Sequence, residues 1–238
     1  YFHAWVLMAL ASAYFLWRLG FGAFIGSHTK IKISWSATLV ILLISGFIYP
    51  FAATPDRSRI RFGNAPITID GMAYMTNATF FDDMNKDGSY DDSEIIELRW
   101  DKDAIIWMQD NIKGSPVILE GNSGVYTWGN RVSIYTGLPT IVGWDWHQQQ
   151  QRWEHREDVL ARRSDVYKMY STSSISDTSD LLEHYGIRYI YIGQLERLYY
   201  PEQGVNKFKE MESIGLLKKV YPNDPNSNPQ VVIYSVNR

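Results

Sequence analysis

Two stretches of this 238-residue chain carry side chains whose types and spacing suit chemistry. The first is Asp83-Met-Asn85-Lys-Asp87-Gly88-Ser89-Tyr90-Asp91-Asp92-Ser93-Glu94, which fits the calcium-loop pattern D-x-[DN]-x-[DN]-G-x5-E without a gap. Side-chain oxygens of Asp83, Asn85 and Asp87 converge on one face of a tight turn, and Gly88 allows the bend. Ser89 offers its backbone carbonyl, Asp91 a direct or water-bridged oxygen, and Glu94 two oxygens at once. The expected ligand is one structural Ca2+, weakly held. The surroundings are unusual: Tyr90 stands where an aliphatic residue is common, Phe80-Phe81 does not read as an entering helix, and no partner loop is visible. A solvated acidic turn is the other reading.

The second stretch runs from Thr136 to Arg152. A Gly-Leu-Pro turn leads to Gly143, which permits a sharp bend, and Trp144, Asp145, Trp146 and His147 follow. A polar helix then carries Gln148, Gln151, Arg152 and Arg156. Indole faces beside amide and guanidinium donors hold sugars and phosphates. Trp144, Asp145, His147, Gln148 and Arg152 are the candidate substrate contacts, and Arg152, Arg156 or Arg163 could meet a phosphate. The competing reading packs the tryptophans in a core and uses Asp145 as a helix cap.

These stretches need a scaffold. From Asp101 onward the pattern predicts an α/β domain with a small mixed sheet. Asp101 is the expected N-cap of a helix over Lys102–Ile112, with Ala104, Ile105, Trp107 and Met108 on its buried stripe. Val117–Leu119, Val132–Ile134 and Thr140–Val142 read as short strands. Asp177 or Thr178 can cap a helix to Tyr185, closed by Gly186. Ile187–Ile192 is the clearest strand, following its helix directly as in an α/β unit. A short helix over Phe208–Leu217 and a closing hairpin, Val220 with Val231–Val236, complete the domain. Residues 54–100 read as a linker holding the acidic loop, with Ala65–Gly71 extended and ending in an Asp-Gly turn.

Charge divides the chain. Residues 1–53 contain no Asp or Glu, and their only Lys or Arg are Arg18, Lys30 and Lys32. From Thr54 onward, 20 Lys and Arg stand against all 26 Asp and Glu, a net charge of −6. Two transmembrane helices are expected, at about residues 1–25 and 33–53, because a bilayer core needs about 20 apolar residues of helix. Arg18 snorkels at the interface, and Trp35 and Tyr49 anchor the second span. The loop with Lys30 and Lys32 is basic, so the positive-inside rule places it in the cytoplasm and residues after 53 outside the cell membrane. The chain starts inside an apolar run without Met, and is expected to be the C-terminal piece of a multi-pass polypeptide whose upstream transmembrane helices precede it.

Composition narrows the chemistry. There is no cysteine, so disulfides and thiolate metal sites are excluded. The five His are scattered without zinc spacing. No basic block points to nucleic acid. No G-x-S-x-G, H-E-x-x-H or Walker loop is present, which argues against a hydrolase on an anchor.

Several separate motifs are shared with one family. They are Asp70-Gly-Met-Ala-Tyr-Met75, Ala104-Ile-Ile-Trp-Met108, Gly114-Ser-Pro-Val-Ile-Leu-Glu120, and Arg131 to Trp144 with His147 and Arg152. Arg163-Ser-Asp-Val166, Tyr185-Gly-Ile-Arg-Tyr189, Gly193 and Glu196-Arg197 complete the set. Through them the chain resembles the YYY membrane protein family, large multi-span proteins distantly similar to GT-C glycosyltransferases of the protein mannosyltransferase and oligosaccharyltransferase type. The resemblance implies a transferase that moves a sugar from a polyprenyl-phosphate carrier, and makes this chain its last spans and extracytoplasmic domain. The GT-C catalytic acid usually lies in an early outer loop, so no catalytic residue carries over. The acidic loop looks like an insertion relative to the family pattern. The expected function is therefore binding of a polyprenyl-phosphate-linked sugar donor or its acceptor. The alternative is a non-catalytic, membrane-anchored binding or assembly module with a structural calcium loop.

Overall fold

A computed structural model describes residues 2–19, 28–62, 68–81, 94–124, 127–222 and 230–237. The chain forms two compact units, Tyr1–Gly63 and Asn64–Arg238.

The first unit holds α1 (Phe2–Arg18) and α2 (Thr29–Phe62). Within α2, Thr29–Arg59 is long and apolar enough to cross a membrane, and among the described residues it is alone in this. Its apolar side chains are exposed, as with Ile41 at 65% and Phe51 at 79%, so they have no protein core to serve. The hydroxyls of Thr38 and Ser45 donate back to the carbonyls of Ser34 (3.0 Å) and Ile41 (2.6 Å), so these two donors are paired within the helix. α1 is equally apolar but spans 17 residues as described, short of the roughly 20 a bilayer core requires. The first expected span, about residues 1–25, lies partly outside the described residues, and a second membrane-crossing helix is not shown among those described. Helix α2 itself runs past Ala53, through Pro50 and Pro55 to Phe62, and carries Asp56, Arg57 and Arg59 with it.

The second unit is the α/β domain. Its strands are β1 (Thr79–Phe81), β2 (Ile95–Glu97), β3 (Val117–Leu119), β4 (Ile187–Ile192), β5 (Leu217–Tyr221) and β6 (Val232–Val236). Its helices are α3 (Leu98–Asn111), α4 (Arg131–Thr136), α5 (Asp145–Gln151), α6 (Arg156–Ser171), α7 (Ile175–His184), α8 (Gln194–Tyr199) and α9 (Glu202–Ser213). The main sheet has the order β3-β4-β6-β5, with β3 parallel to β4 and β6 antiparallel to both neighbours. It is the small mixed sheet the sequence predicts.

Both sheet faces are covered, which explains why β4 is apolar and aromatic without alternation. Ile190 and Ile192 join Val166, Met169, Phe208 and Met211 on one face, beneath α6 and α9. Tyr191 and Ile233 join Ala104, Met108 and Val132 on the other, beneath α3 and α4. A third cluster, with Met75, Ile96, Leu98, Ile105 and Leu195, packs the β1–β2 hairpin onto α3 and α8. The hairpin is therefore part of the domain core, and of the stretch 54–100 expected as linker the part from Asn64 falls in this unit. The acidic loop joins two antiparallel strands, with Phe81 paired to Ile95 across its ends.

Several expected elements differ for nonlocal reasons. Val132–Ile134 lies in helix α4, because the Glu120 carboxylate accepts the amides of Val132 (2.8 Å) and Ser133 (3.2 Å) at its first turn. Thr140 makes only a bridge to Ile118. Asp101 lies inside α3 rather than capping it, drawn into the core by Arg131. Ser174, not Asp177 or Thr178, caps α7 by accepting the Asp177 amide (3.1 Å). The helix expected over Phe208–Leu217 is α9, which starts at Glu202 and ends at Ser213. Asp70 forms the expected turn, its Oδ1 accepting the Met72 amide (2.9 Å).

Candidate functional site

α5 is the element on which the candidate residues turn. Gly143 sits at φ 75°, a left-handed conformation that swings the chain so that Trp144 becomes the N-cap of α5. A Cβ at Gly143 would also lie 3.2 Å from the Gln148 side chain. Trp144, His147, Gln148 and Arg152 then follow at i, i+3, i+4 and i+8, one side of a helix.

That side lines an open pocket of about 470 Å3, walled opposite by Asn130, Ser133 and Leu138 around α4, and closed at one end by Arg162. Arg152 donates to the Gln148 side-chain carbonyl, which holds its guanidinium at the pocket edge. Arg162 donates to the Ile141 carbonyl (3.4 Å). Among the described residues no carboxylate lines this pocket. A neighbouring pocket of about 340 Å3 shares Gln148, Arg152 and Arg162 and adds His155 and Asp158, which are paired at 3.0 Å.

Asp145 goes elsewhere. It is buried on the opposite side of α5 and accepts a hydrogen bond from Arg163 Nη1 (2.8 Å), joining α5 to α6. Both residues line a separate pocket of about 280 Å3. Gln149 is also buried and accepts from Arg156 Nε (3.0 Å), while the Arg156 guanidinium lies 5.4 Å from the centroid of the Trp153 ring. Of the three arginines expected to meet a phosphate, Arg152 faces the large pocket, whereas Arg156 and Arg163 are tied within the helices. Arg162 and His155 were not singled out from the sequence. Arg162 could have been found from its place next to Arg163, but the fold that brings Ile141 beneath it could not.

Both pockets are held by a buried charge cluster. Arg131 is fully enclosed, and its Nε donates to Asp101 (2.7 Å). Its two terminal nitrogens donate to both oxygens of Glu196 (3.1 and 2.9 Å), a bidentate pair. Asp101 also accepts from Trp128 Nε1 (2.6 Å) and the Tyr191 hydroxyl (2.7 Å). Glu196 also accepts the amides of Gly121 (2.9 Å) and Gly193 (2.7 Å). A Cβ at Gly193 would lie 2.7 Å from Arg131, so only glycine fits. Burial pushes Glu196 upward, but the Arg131 charge and these amides outweigh it and hold the carboxyl below its usual range. Burial pushes Glu120 up to about 7, against the Ser133 hydrogen bond and the Arg131 charge. Glu120, Arg131, Gly193 and Glu196, far apart along the chain, meet here. The cluster fixes α4, which supplies Asn130 and Ser133 to the large pocket, and the chain after Gly121, which supplies Asn122 to the small one.

Of the expected calcium ligands, Asp83, Asn85, Asp87, Ser89 and Asp91 lie outside the described residues. Glu94 is described and buried. Among the described residues no group of three or more His, Asp or Glu is placed to hold a metal.

No protein-family model and no curated protein matches this chain. Among solved structures, the chain is similar to the C-terminal globular domain of an oligosaccharyltransferase from Archaeoglobus fulgidus. The identity is 13%, the TM-score 0.35, and the match covers 57% of this chain and 95% of that one. A likeness of that size carries no argument about this protein's activity.

Proposed function

We propose that this chain is the C-terminal part of a multi-pass membrane protein of the YYY type, with GT-C-like architecture, and that its α/β domain lies outside the cell. In this reading α1 and α2 both lie in the membrane, and upstream transmembrane helices of the same polypeptide adjoin them. The domain binds the phosphate-bearing head of a polyprenyl-phosphate-linked sugar, as donor or acceptor, in the pocket of Trp144, His147, Gln148, Arg152 and Arg162.

The observation that supports this most is the charge of the pocket. Two guanidiniums and an imidazole line it, and among the described residues no carboxylate opposes them. Such a lining favours a phosphate by charge-assisted hydrogen bonds, and the Trp144 ring offers an apolar face for a sugar or an isoprene unit. Loss of sugar transfer to a lipid or protein acceptor on Arg152→Ala in the full polypeptide, with folding intact, is the functional test; unchanged transfer would reject the role of Arg152.

A second reading is favoured by the same lining. Among the described residues the large pocket offers no carboxylate as general acid or base, which suits a binding or assembly module, stabilised by Ca2+ at Asp83–Glu94, as well as it suits part of an enzyme. Transfer activity in the full polypeptide separates the two.

A further inference from the structure

The 280 Å3 pocket on the far side of α5 differs in chemistry from the large one. Its lining includes Asn122, Asp145, Arg163, Tyr167, Tyr199 and Tyr200. Here the charges balance. The Asp145 carboxylate is nearly buried and uses one oxygen to accept from Arg163 Nη1. Its second oxygen has no protein donor among the described residues, and the guanidinium, with 56% of its side chain exposed, keeps donors free. Tyr167, 57% exposed, lines the same pocket.

The wall behind these groups is fixed. The Tyr200 hydroxyl donates to the Asn122 carbonyl (3.0 Å) and accepts the Asn122 amide (2.9 Å). The Asn122 side chain donates to the Gly143 carbonyl (2.9 Å). The Tyr200 ring stacks on buried Tyr170 with centroids 4.7 Å apart, and Tyr167 leans on it at 5.8 Å. The pocket is therefore preformed, and binding there orders little.

We infer that this pocket is a second binding site and that it takes an uncharged sugar ring. A paired carboxylate and guanidinium present acceptors and donors side by side with no net charge, which matches vicinal hydroxyls. An anion would meet the Asp145 carboxylate and be repelled. The exposed Tyr167 ring supplies a flat apolar face for the C–H side of a pyranose. The volume lies at the small end of ligand pockets, about 300–1,000 Å3, which suits one ring rather than a chain. This inference shares helix α5 with the phosphate reading but stands on other side chains.

The test uses the full chain in detergent micelles and saturation-transfer NMR with the methyl glycosides of mannose, glucose, galactose and N-acetylglucosamine. At least one is expected to give a saturable response. Tyr167→Ala weakens it about tenfold, while Tyr167→Phe, which keeps the ring, stays within about threefold. Arg152→Ala retains the response, and excess inorganic pyrophosphate does not displace the glycoside. No saturable response to any of the glycosides overturns the inference. So does a response that Tyr167→Ala leaves unchanged, or one that Arg152→Ala or pyrophosphate abolishes, since the sugar then sits in the other pocket.

Discussion

Asp145 and Arg163 form a 2.8 Å ion pair that ties the first turn of α5 to the middle of α6. The pair sets the roll of α5. With Asp145 held inward, Trp144, His147, Gln148 and Arg152 are carried to the opposite side, where they line the large pocket. The two partners are unequal, since the Asp145 side chain is 9% exposed and that of Arg163 is 56%. Arg163→Ala leaves a carboxylate in a buried site and is expected to cost about 2 kcal/mol. Asp145→Ala leaves a guanidinium that water can reach and is expected to cost about 1 kcal/mol. Thermal unfolding followed by intrinsic fluorescence checks the order, and equal losses would show that the pair does not carry this geometry.

The Arg131 cluster predicts a larger effect. Arg131→Met strands Asp101 and Glu196, both buried, without their cation. Breaking such a site costs about 3–5 kcal/mol, a large share of the roughly 5–15 kcal/mol that holds a domain together. Loss of the cooperative unfolding transition is expected, with Arg131→Lys failing to restore it because an ammonium cannot make the bidentate contact to Glu196. A cooperative transition within about 1 kcal/mol of the parent would contradict the role given to the cluster.

Glu120 gives a pH signature. Its folded pKa, about 7, lies above the ordinary carboxyl value of 4.5 because of burial. The sign follows from proton binding: the folded state holds this proton more tightly than the unfolded state. Its contribution is therefore fully present below pH 4.5 and lost as pH rises through about 7. At 1.36 kcal/mol per pKa unit the loss is about 3 kcal/mol. Glu120→Gln removes the titration, so the stability difference between parent and variant should change by that order between acid pH and pH 8. A difference that is flat with pH would remove Glu120 as the source.

The absence of cysteine allows the topology to be probed with single introduced thiols. Lys30→Cys, in the basic segment at the start of α2, and Lys209→Cys, on the exposed side of α9, are the informative positions. An impermeant maleimide on intact cells is expected to label Lys209→Cys and to reach Lys30→Cys only after permeabilisation. The reverse pattern would place the α/β domain in the cytoplasm.

The acidic loop makes its own prediction. Calorimetric titration with Ca2+ should show one weak site, and Asp87→Asn or Glu94→Gln should abolish it. An unchanged titration in both variants would reduce Asp83–Glu94 to a polar hairpin connection.

Much of the domain was legible in the sequence because the signals were local. The strand Ile187–Ile192 is a continuous apolar run, and its bounds are those of β4. Val117–Leu119 is β3, and the closing hairpin is β5 with β6. What escaped was set by partners far along the chain. Asp101 has the look of a cap, and only Arg131, 30 residues on, shows that it belongs to the core. Val132–Ile134 has strand composition, but the Glu120 side chain captures its amides and makes a helix. The segment around Trp144 stood out as a constellation, yet its division into two pockets depends on which side of α5 meets Arg163. Arg162 was passed over because its value lies in facing Ile141, 21 residues earlier.

The proposed role of the pocket of Arg152 and Arg162 is recognition of a lipid-linked phosphate. Its most direct measurement is binding of a short-chain polyprenyl-phosphate hexose to the full chain in nanodiscs, compared with the same prenyl glycoside lacking the phosphate. The parent should prefer the phosphate form, and the Arg152→Ala, Arg162→Ala double variant should lose about 2–4 kcal/mol of that preference while binding the neutral glycoside as before. Equal binding of both ligands by the parent, or a preference that survives removal of both guanidiniums, would contradict it.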